Sequence, residues 1–318
     1  MDYKLILPAV IAFLISVIVS PVVIPFLTKL KFGQCIREEG PKWHEKKSGT
    51  PTMGGIIFLV STVVTALIFL KGNPDVVPVL FVTLGFGLIG FLDDYIKVVM
   101  KRNLGLRAWQ KMSLQILVTG VFCFYVMKFT DVGTKIIVPF VKDMTIEMSW
   151  LYIPFVFFVV LGSVNGVNLT DGLDGLAASV TVLVATFFSV VALGFGSTVY
   201  PIAAAVVGGL LGFLVFNVYP AKVFMGDTGS LALGGFVAST AIVLRLPLFI
   251  VIVGFIYVAE TLSVMLQVGY FKLTHGKRLF KMAPIHHHFE MCGWAETRIV
   301  AVFSIVTAIL CMLALINI

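Results

Sequence analysis

Val76-Val77-Pro78-Val79-Leu80-Phe81-Val82-Thr83-Leu84-Gly85-Phe86-Gly87-Leu88-Ile89-Gly90-Phe91-Leu92 runs without a charge directly into Asp93-Asp94-Tyr95-Ile96-Lys97. A helix needs roughly 20 apolar residues to cross the hydrocarbon core of a bilayer. This run comes close to that length, and two carboxylates and a lysine mark where it meets water. Similar runs lie at about 5–27, 53–70, 108–127, 150–164, 175–193, 199–217, 230–244, 248–271 and 299–317. With 76–92 they predict an all-α polytopic membrane protein of about ten transmembrane helices, forming a single integral membrane domain over residues 1–318. The fifth and eighth runs are short, and the fifth ends in Gly162, Asn165 and Gly166, near the headgroup layer. The run from Leu5 to about Leu27 is too long for the apolar region of a signal peptide and has no small-residue cleavage site, so it is expected to remain as a span.

Composition points the same way. Of 318 residues, 59% are hydrophobic and 12% charged, against roughly 45–50% and about 25% in soluble domains. The mean hydropathy is +1.06. So few charges cannot cover so much apolar surface in water, and the same figures exclude disorder, collagen and a disulfide scaffold. The formal charge of +7, from 23 Lys and Arg against 16 Asp and Glu, fits basic loops that orient spans and meet anionic headgroups; no nucleic-acid partner is expected. Cys35, Cys123, Cys292 and Cys311 show no CxxC spacing, so neither a disulfide nor a zinc site is expected.

Ten spans put both termini on one side and sort the loops into two sets. Seventeen basic residues fall in one: Lys29, Lys31, Arg37, Lys42, Lys46 and Lys47; Lys97, Lys101, Arg102, Arg107 and Lys111; Lys222; Lys272, Lys277, Arg278, Lys281 and Arg298. Six fall in the other: Lys4, Lys71, Lys128, Lys135, Lys142 and Arg245. The richer side is cytoplasmic by the positive-inside rule, which places both termini in the periplasm. Segment 128–149, on the outer side, alternates weakly and is expected to form a short β-hairpin.

The polar residues cluster in the inner loops. Asp93 and Asp94 follow the third run, and on a continuous helix Lys97 lies i+4 and i+3 from them, close enough for an ion pair on one face. Their plainer reading is a solvated helix end; adjacent carboxylates otherwise suit a divalent cation or a raised pKa. Asn165-Gly166-Val167-Asn168-Leu169-Thr170-Asp171-Gly172-Leu173-Asp174-Gly175 combines two carboxylates, two amides and glycines that permit close approach by a ligand. One of its aspartates can be an ordinary helix cap. Phe224-Met225-Gly226-Asp227-Thr228-Gly229-Ser230 reads as a turn into a helix, with a carboxylate suited either to capping or to a hard cation shared with phosphate oxygens. His286-His287-His288 presents imidazoles suited to a phosphate or diphosphate, since consecutive residues rarely make a tetrahedral zinc site; a solvated basic loop is the plainer reading. Glu260 is the only acid inside a run. A charge there costs about 2.5–3.5 kcal/mol on insertion scales, so it is expected to be neutral, paired or lining a wet cavity.

Such a surface suits a reaction between a soluble anion and a lipid anion. Two like unit charges at 4 Å repel by about 4 kcal/mol at an effective dielectric near 20. Lysines and Mg²⁺ would offset that repulsion and stabilise the leaving phosphate.

These motifs, with Lys46-Lys47-Ser48-Gly49-Thr50-Pro51-Thr52-Met53-Gly54-Gly55 and Ala283-Pro284-Ile285-His286-His287-His288-Phe289-Glu290, resemble the polyprenyl-phosphate N-acetylhexosamine-1-phosphate transferases (glycosyltransferase family 4-like) along nearly the whole chain. The resemblance is to the branch acting on a muramoyl-pentapeptide. It implies UDP-N-acetylmuramoyl-pentapeptide and undecaprenyl phosphate as substrates, lipid I and UMP as products in peptidoglycan synthesis, Mg²⁺ as cofactor, membrane lipid as surroundings and a homodimer. It places the enzyme in the bacterial inner membrane with its active site facing the cytoplasm. By motif, Asp227 would be the leading Mg²⁺ ligand. Asp93 and Asp94 would face the lipid phosphate, one as proton acceptor or covalent nucleophile, with Lys97 binding phosphate. Asn168, Asp171, Asp174 and Asn217 would line the nucleotide pocket next to Gly226, with Phe224 stacking on uracil. His286 and His287 would bind the diphosphate or sugar side, and Lys46, Thr50 and Thr52 are further substrate candidates. The ninth span is expected to bend into a groove for the polyprenyl tail. The rivals are a sibling transferase of N-acetylglucosamine-1-phosphate and a cation-coupled transporter; the latter needs ionisable residues near the midplane, where only Glu260 qualifies.

Overall fold

The computed structural model describes residues 3–29, 49–98, 100, 105–142 and 144–316. They form a mostly helical polytopic membrane protein. Its helices are α1 (Tyr3–Lys29), α2 (Gly55–Ile68), α3 (Val76–Val98), α4 (Ala108–Phe129), α5 (Tyr152–Thr170), α6 (Leu176–Gly194), α7 (Tyr200–Asn217), α8 (Gly226–Val243), α9 (Ile250–Val253), α10 (Phe255–Leu273), α11 (Ile285–Met291) and α12 (Glu296–Ala314).

Each of the ten expected runs coincides with a helix or a broken helix, but not all are long enough to span. Among the described residues seven helices are long and apolar enough to cross a membrane, or eight if one bent pair counts as a single span. The difference from ten comes from two elements. Helix α2 has 14 residues, short of a full crossing. Helix α8 has 18 residues and is interrupted by Gly, Ser and Thr. The bent pair is the expected ninth run: Pro247–Val253 and Phe255–Leu273 meet at 82° around Gly254. Lys135–Ile137 (β1) pairs antiparallel with Thr145–Glu147 (β2), Ile136 opposite Ile146, and Arg245 ties this hairpin to the bundle by accepting from Ile137 N–H at 2.8 Å.

Burial runs opposite to that of a water-soluble bundle. On α1, Leu14, Ile18, Val22 and Phe26 form an i, i+4 row that points outward, while Ser16 and Ser20 face the protein. Lipid tails are as apolar as leucine, so the bundle is held by close packing of small residues. Helix α8 shows this most fully: every residue from Thr228 to Val243 is buried. A Cβ on Gly234 would stand 2.4 Å from Val164 Cα in α5, and one on Gly90 in α3 would stand 2.0 Å from the carbonyl oxygen of Asp227. Gly90→Ala is therefore expected to wedge α3 from α8 and destabilise the protein by about 1–3 kcal/mol, the usual range for overpacking. A lowered thermal unfolding midpoint in detergent would show this, and an unchanged midpoint would contradict the close packing of the two helices.

Candidate active site

The C-terminal ends of α3 and α5 and the N-terminal ends of α4 and α8 meet at one end of the bundle, and the polar side chains gather there. The i+4 pair expected on α3 is formed: Lys97 Nζ lies 2.5 Å from Asp93 Oδ2. Lys97 also reaches Asp227 Oδ2 at 3.0 Å. Lys111, from the first turns of α4, approaches the same oxygen at 2.9 Å and Asp93 at 3.9 Å. Asp227 Oδ1 accepts from Asn168 Nδ2 at 2.9 Å, and that amide also donates to Ser230 Oγ at 2.8 Å. Lys97 and Lys111 thus bridge Asp93 and Asp227, and the Leu106 N–H closes on Asp93 Oδ1 at 2.8 Å.

Asp94 has a different job from its neighbour. Its Oδ1 accepts from Asp227 N at 3.2 Å, and its Oδ2 from Thr228 N at 2.9 Å and Thr228 Oγ1 at 2.7 Å. The first N–H groups of a helix lack intrahelical partners and carry the positive end of its dipole. Asp94 therefore caps α8 from another helix and fixes where Asp227 stands. Gly226 makes the approach possible. Its φ of +73° suits glycine, and a Cβ there would stand 2.7 Å from Asp94 Oδ2 and 2.8 Å from Thr52 Oγ1.

The Asp171 loop closes the next side. The Gly226 backbone N–H hydrogen-bonds the Asp171 carboxyl. Burial, joined by the charges of Asp227, Asp94 and Asp174, pushes Asp171 up to about 8. Asp174 is buried; its Oδ2 accepts from Ala221 N at 3.0 Å and its own N–H donates to Glu296 Oε1 at 2.6 Å, joining this loop to α12. Gly172 lies against His286: a Cβ on it would meet His286 Nε2 at 2.1 Å. The buried Glu260 is paired, as one of its expected states required, with its Oε1 3.0 Å from His286 Nδ1. His287 Nδ1 meets Glu290 Oε2 at 2.6 Å.

The other expected residues sit further back. Asn217 is buried and donates to the Val223 carbonyl at 2.9 Å, which shapes the 218–225 segment. Phe224 is half-buried; its backbone bridges to Pro51 and Gly54 at 2.8 Å each, bringing Thr50 and the buried Thr52 alongside. Lys46 lies outside the described residues. Lys111 and Ser230 were not singled out from the sequence. Lys111 had only its basic charge to mark it, and Ser230 only its place after the Asp227 turn.

Asp93 and Asp227 thus share two lysines, with the carboxyls of Asp94 and Asp171 close by. Among the described residues no three His, Cys, Asp or Glu side chains form a ready-made metal cage.

Comparison with known proteins gives consistent matches. Residues 76–245 match the family model for glycosyl transferase family 4, and residues 47–59 match the phospho-N-acetylmuramoyl-pentapeptide-transferase signature 1. A phospho-N-acetylmuramoyl-pentapeptide-transferase of Clostridium kluyveri is 53% identical over 317 residues, covering 99% of each chain. One of Clostridium perfringens is 54% identical over 316 residues, 98% of each. One of Acetivibrio thermocellus is 54% identical over 307 residues, 96% of this chain and 92% of its own.

Proposed function

From the premise that this chain belongs to glycosyl transferase family 4 and, within it, to the phospho-N-acetylmuramoyl-pentapeptide-transferases, we propose how its residues carry out the reaction. The enzyme is a membrane-embedded phospho-sugar transferase of peptidoglycan synthesis. It moves phospho-N-acetylmuramoyl-pentapeptide from the UDP-activated form to undecaprenyl phosphate, giving lipid I and UMP. An oxygen of the lipid phosphate bonds to the sugar-bearing phosphorus. The anhydride bond to the nucleotide breaks, and UMP leaves with the electron pair.

The observation that carries the residue assignment is the convergence of Lys97 and Lys111 on Asp227 Oδ2, beside Asp93. Two ammonium groups placed there offset the repulsion between two approaching phosphates. Asp93 is the group beside them suited to take a residual proton from the lipid phosphate. Its oxygens are held by Lys97 and Leu106, which fixes the carboxylate beside the two ammonium groups. Asp94 positions Asp227 through the α8 N-terminus. Asn168 orients Asp227, while Asp171, Asp174, Phe224, Gly226 and Asn217 shape the nucleotide side. His287, Thr50, Thr52 and Lys46 are the further substrate candidates, whereas His286, expected from its motif to bind the diphosphate, is buried against Glu260 and Gly172 and supports the neighbouring loop instead.

Mg²⁺ fits this donor set. It binds through one or two carboxylates plus substrate phosphates rather than an all-protein cage, and here four carboxyls outnumber two lysines. Asp227 would hold it, and when bound it would neutralise the diphosphate and the departing UMP. The site belongs, on this reading, to the cytoplasmic face of the inner membrane. The seventeen basic residues on that side support this; the same reading has both termini periplasmic, the polyprenyl tail lying along the helix pair bent by 82°, and the protein working as a homodimer.

Purified protein should release UMP from UDP-N-acetylmuramoyl-pentapeptide only when undecaprenyl phosphate is present. Release should stop with EDTA and return with Mg²⁺. Turnover of UDP-N-acetylglucosamine instead, or activity indifferent to EDTA, would overturn the substrate or the metal assignment respectively.

A further inference from the structure

Glu260 sits inside α10 with none of its surface exposed, and His286, in the first turn of α11, is 1% exposed. They meet at 3.0 Å through Glu260 Oε1 and His286 Nδ1. Each keeps one atom without a hydrogen-bond partner, Glu260 Oε2 and His286 Nε2. An unsatisfied buried polar atom costs about 1–3 kcal/mol, and an acid inside a span has its own insertion cost. A pair whose only task was to hold α11 to α10 would be served as well by apolar residues, without either cost.

The direction of the ring tells more. With Nδ1 engaged by Glu260, Nε2 faces the backbone of Gly172, where even a methyl group would stand 2.1 Å away. Gly172 lies between Asp171, which holds the Gly226 N–H, and Asp174, which holds the Ala221 N–H and binds Glu296. The imidazole is therefore the wall against which the 171–174 loop rests, and the carboxylate of Glu260 sets its angle.

We infer that Glu260 is a positioning residue for the transfer reaction: acting through His286, it sets the loop carrying Asp171 and Asp174 and so governs use of the UDP-linked substrate. The inference rests on the function proposed above and extends it to a residue distant in sequence from every motif in the site. Glu260 itself touches no substrate.

Kinetics separate this from a purely structural role. Glu260→Leu should lower kcat/KM for UDP-N-acetylmuramoyl-pentapeptide on the order of ten- to hundredfold, the size of one lost hydrogen bond to a charged group. The loss should appear as a raised KM for that substrate, with KM for undecaprenyl phosphate unmoved. Glu260→Gln keeps an acceptor for Nδ1 and should recover activity to within roughly threefold of the parent, the interaction being preserved. In a His286→Ala background, Glu260→Leu should have no further effect, because coupled residues are non-additive. Gly172→Ala displaces the ring from the other side. It should raise KM for the UDP-linked substrate alone, and it carries the test if Glu260→Leu does not fold. Wild-type KM in Gly172→Ala, equal rises in both KM values, or additive losses in the His286→Ala background would each overturn the inference. If the parent protein released no UMP at all, the proposed function would fall instead.

Discussion

Asp227→Asn is expected to lower UMP release by roughly two to three orders of magnitude, the range seen when one preorganised electrostatic contact is removed from a reaction centre. The fold should survive, because the amide is isosteric and the α8 N-terminus remains capped by Asp94. The carboxylate is the point where Lys97, Lys111 and Asn168 converge. Without its charge the two ammonium groups face each other across a neutral amide, and the proposed Mg²⁺ ligand is gone. Initial rates at saturating substrates, together with the thermal midpoint in detergent, check this. Near-parental turnover in a protein of normal stability would remove Asp227 as the metal ligand.

Asp93→Asn should separate chemistry from binding. If Asp93 accepts the proton of the attacking phosphate, kcat should fall by about 10²–10⁴, the span of general acid–base catalysis. Binding of the UDP-linked substrate should stay within about twofold, because the loops assigned to that side lie on α5, α7 and α8 and keep their hydrogen bonds. Titration calorimetry with the nucleotide substrate and single-turnover UMP release measure the two quantities independently. Losses of equal size in both would place Asp93 in binding and undo its role as proton acceptor.

Gly90→Ala and the Glu260 series probe a different layer: how the helices hold these groups in register. Position 90 has no polar atom to offer, yet it decides how near α3 can bring Asp93 and Asp94 to the first turn of α8. A side-chain methyl at either Gly90 or Gly172 intrudes on a neighbour by more than an ordinary contact allows, so both substitutions test spacing rather than chemistry.

Much of this protein is local and therefore legible in its amino-acid order. Unbroken apolar runs state that helices lie in lipid, because backbone polar groups there must be satisfied within the segment. The Asp93–Lys97 pair follows from helical spacing alone. Glycine-flanked acids and the consecutive histidines mark the chemistry, since few other roles need those residues together. Partner choice is not local. Nothing in Asp93-Asp94 says that one carboxylate joins two lysines and Asp227 while the other caps α8; the helix turns their side chains about 100° apart, and the packing of α8 decides the rest. Lys111 reads as one more basic loop residue until α4 brings it to Asp227. Glu260 reads as an isolated charge in a span until the 82° break at Gly254 and the return of α11 place His286 beside it. The length of α2 and the fully buried α8 were likewise settled by packing: close approach of backbones rewards small residues, and a hydropathy pattern cannot show which helix lies at the centre.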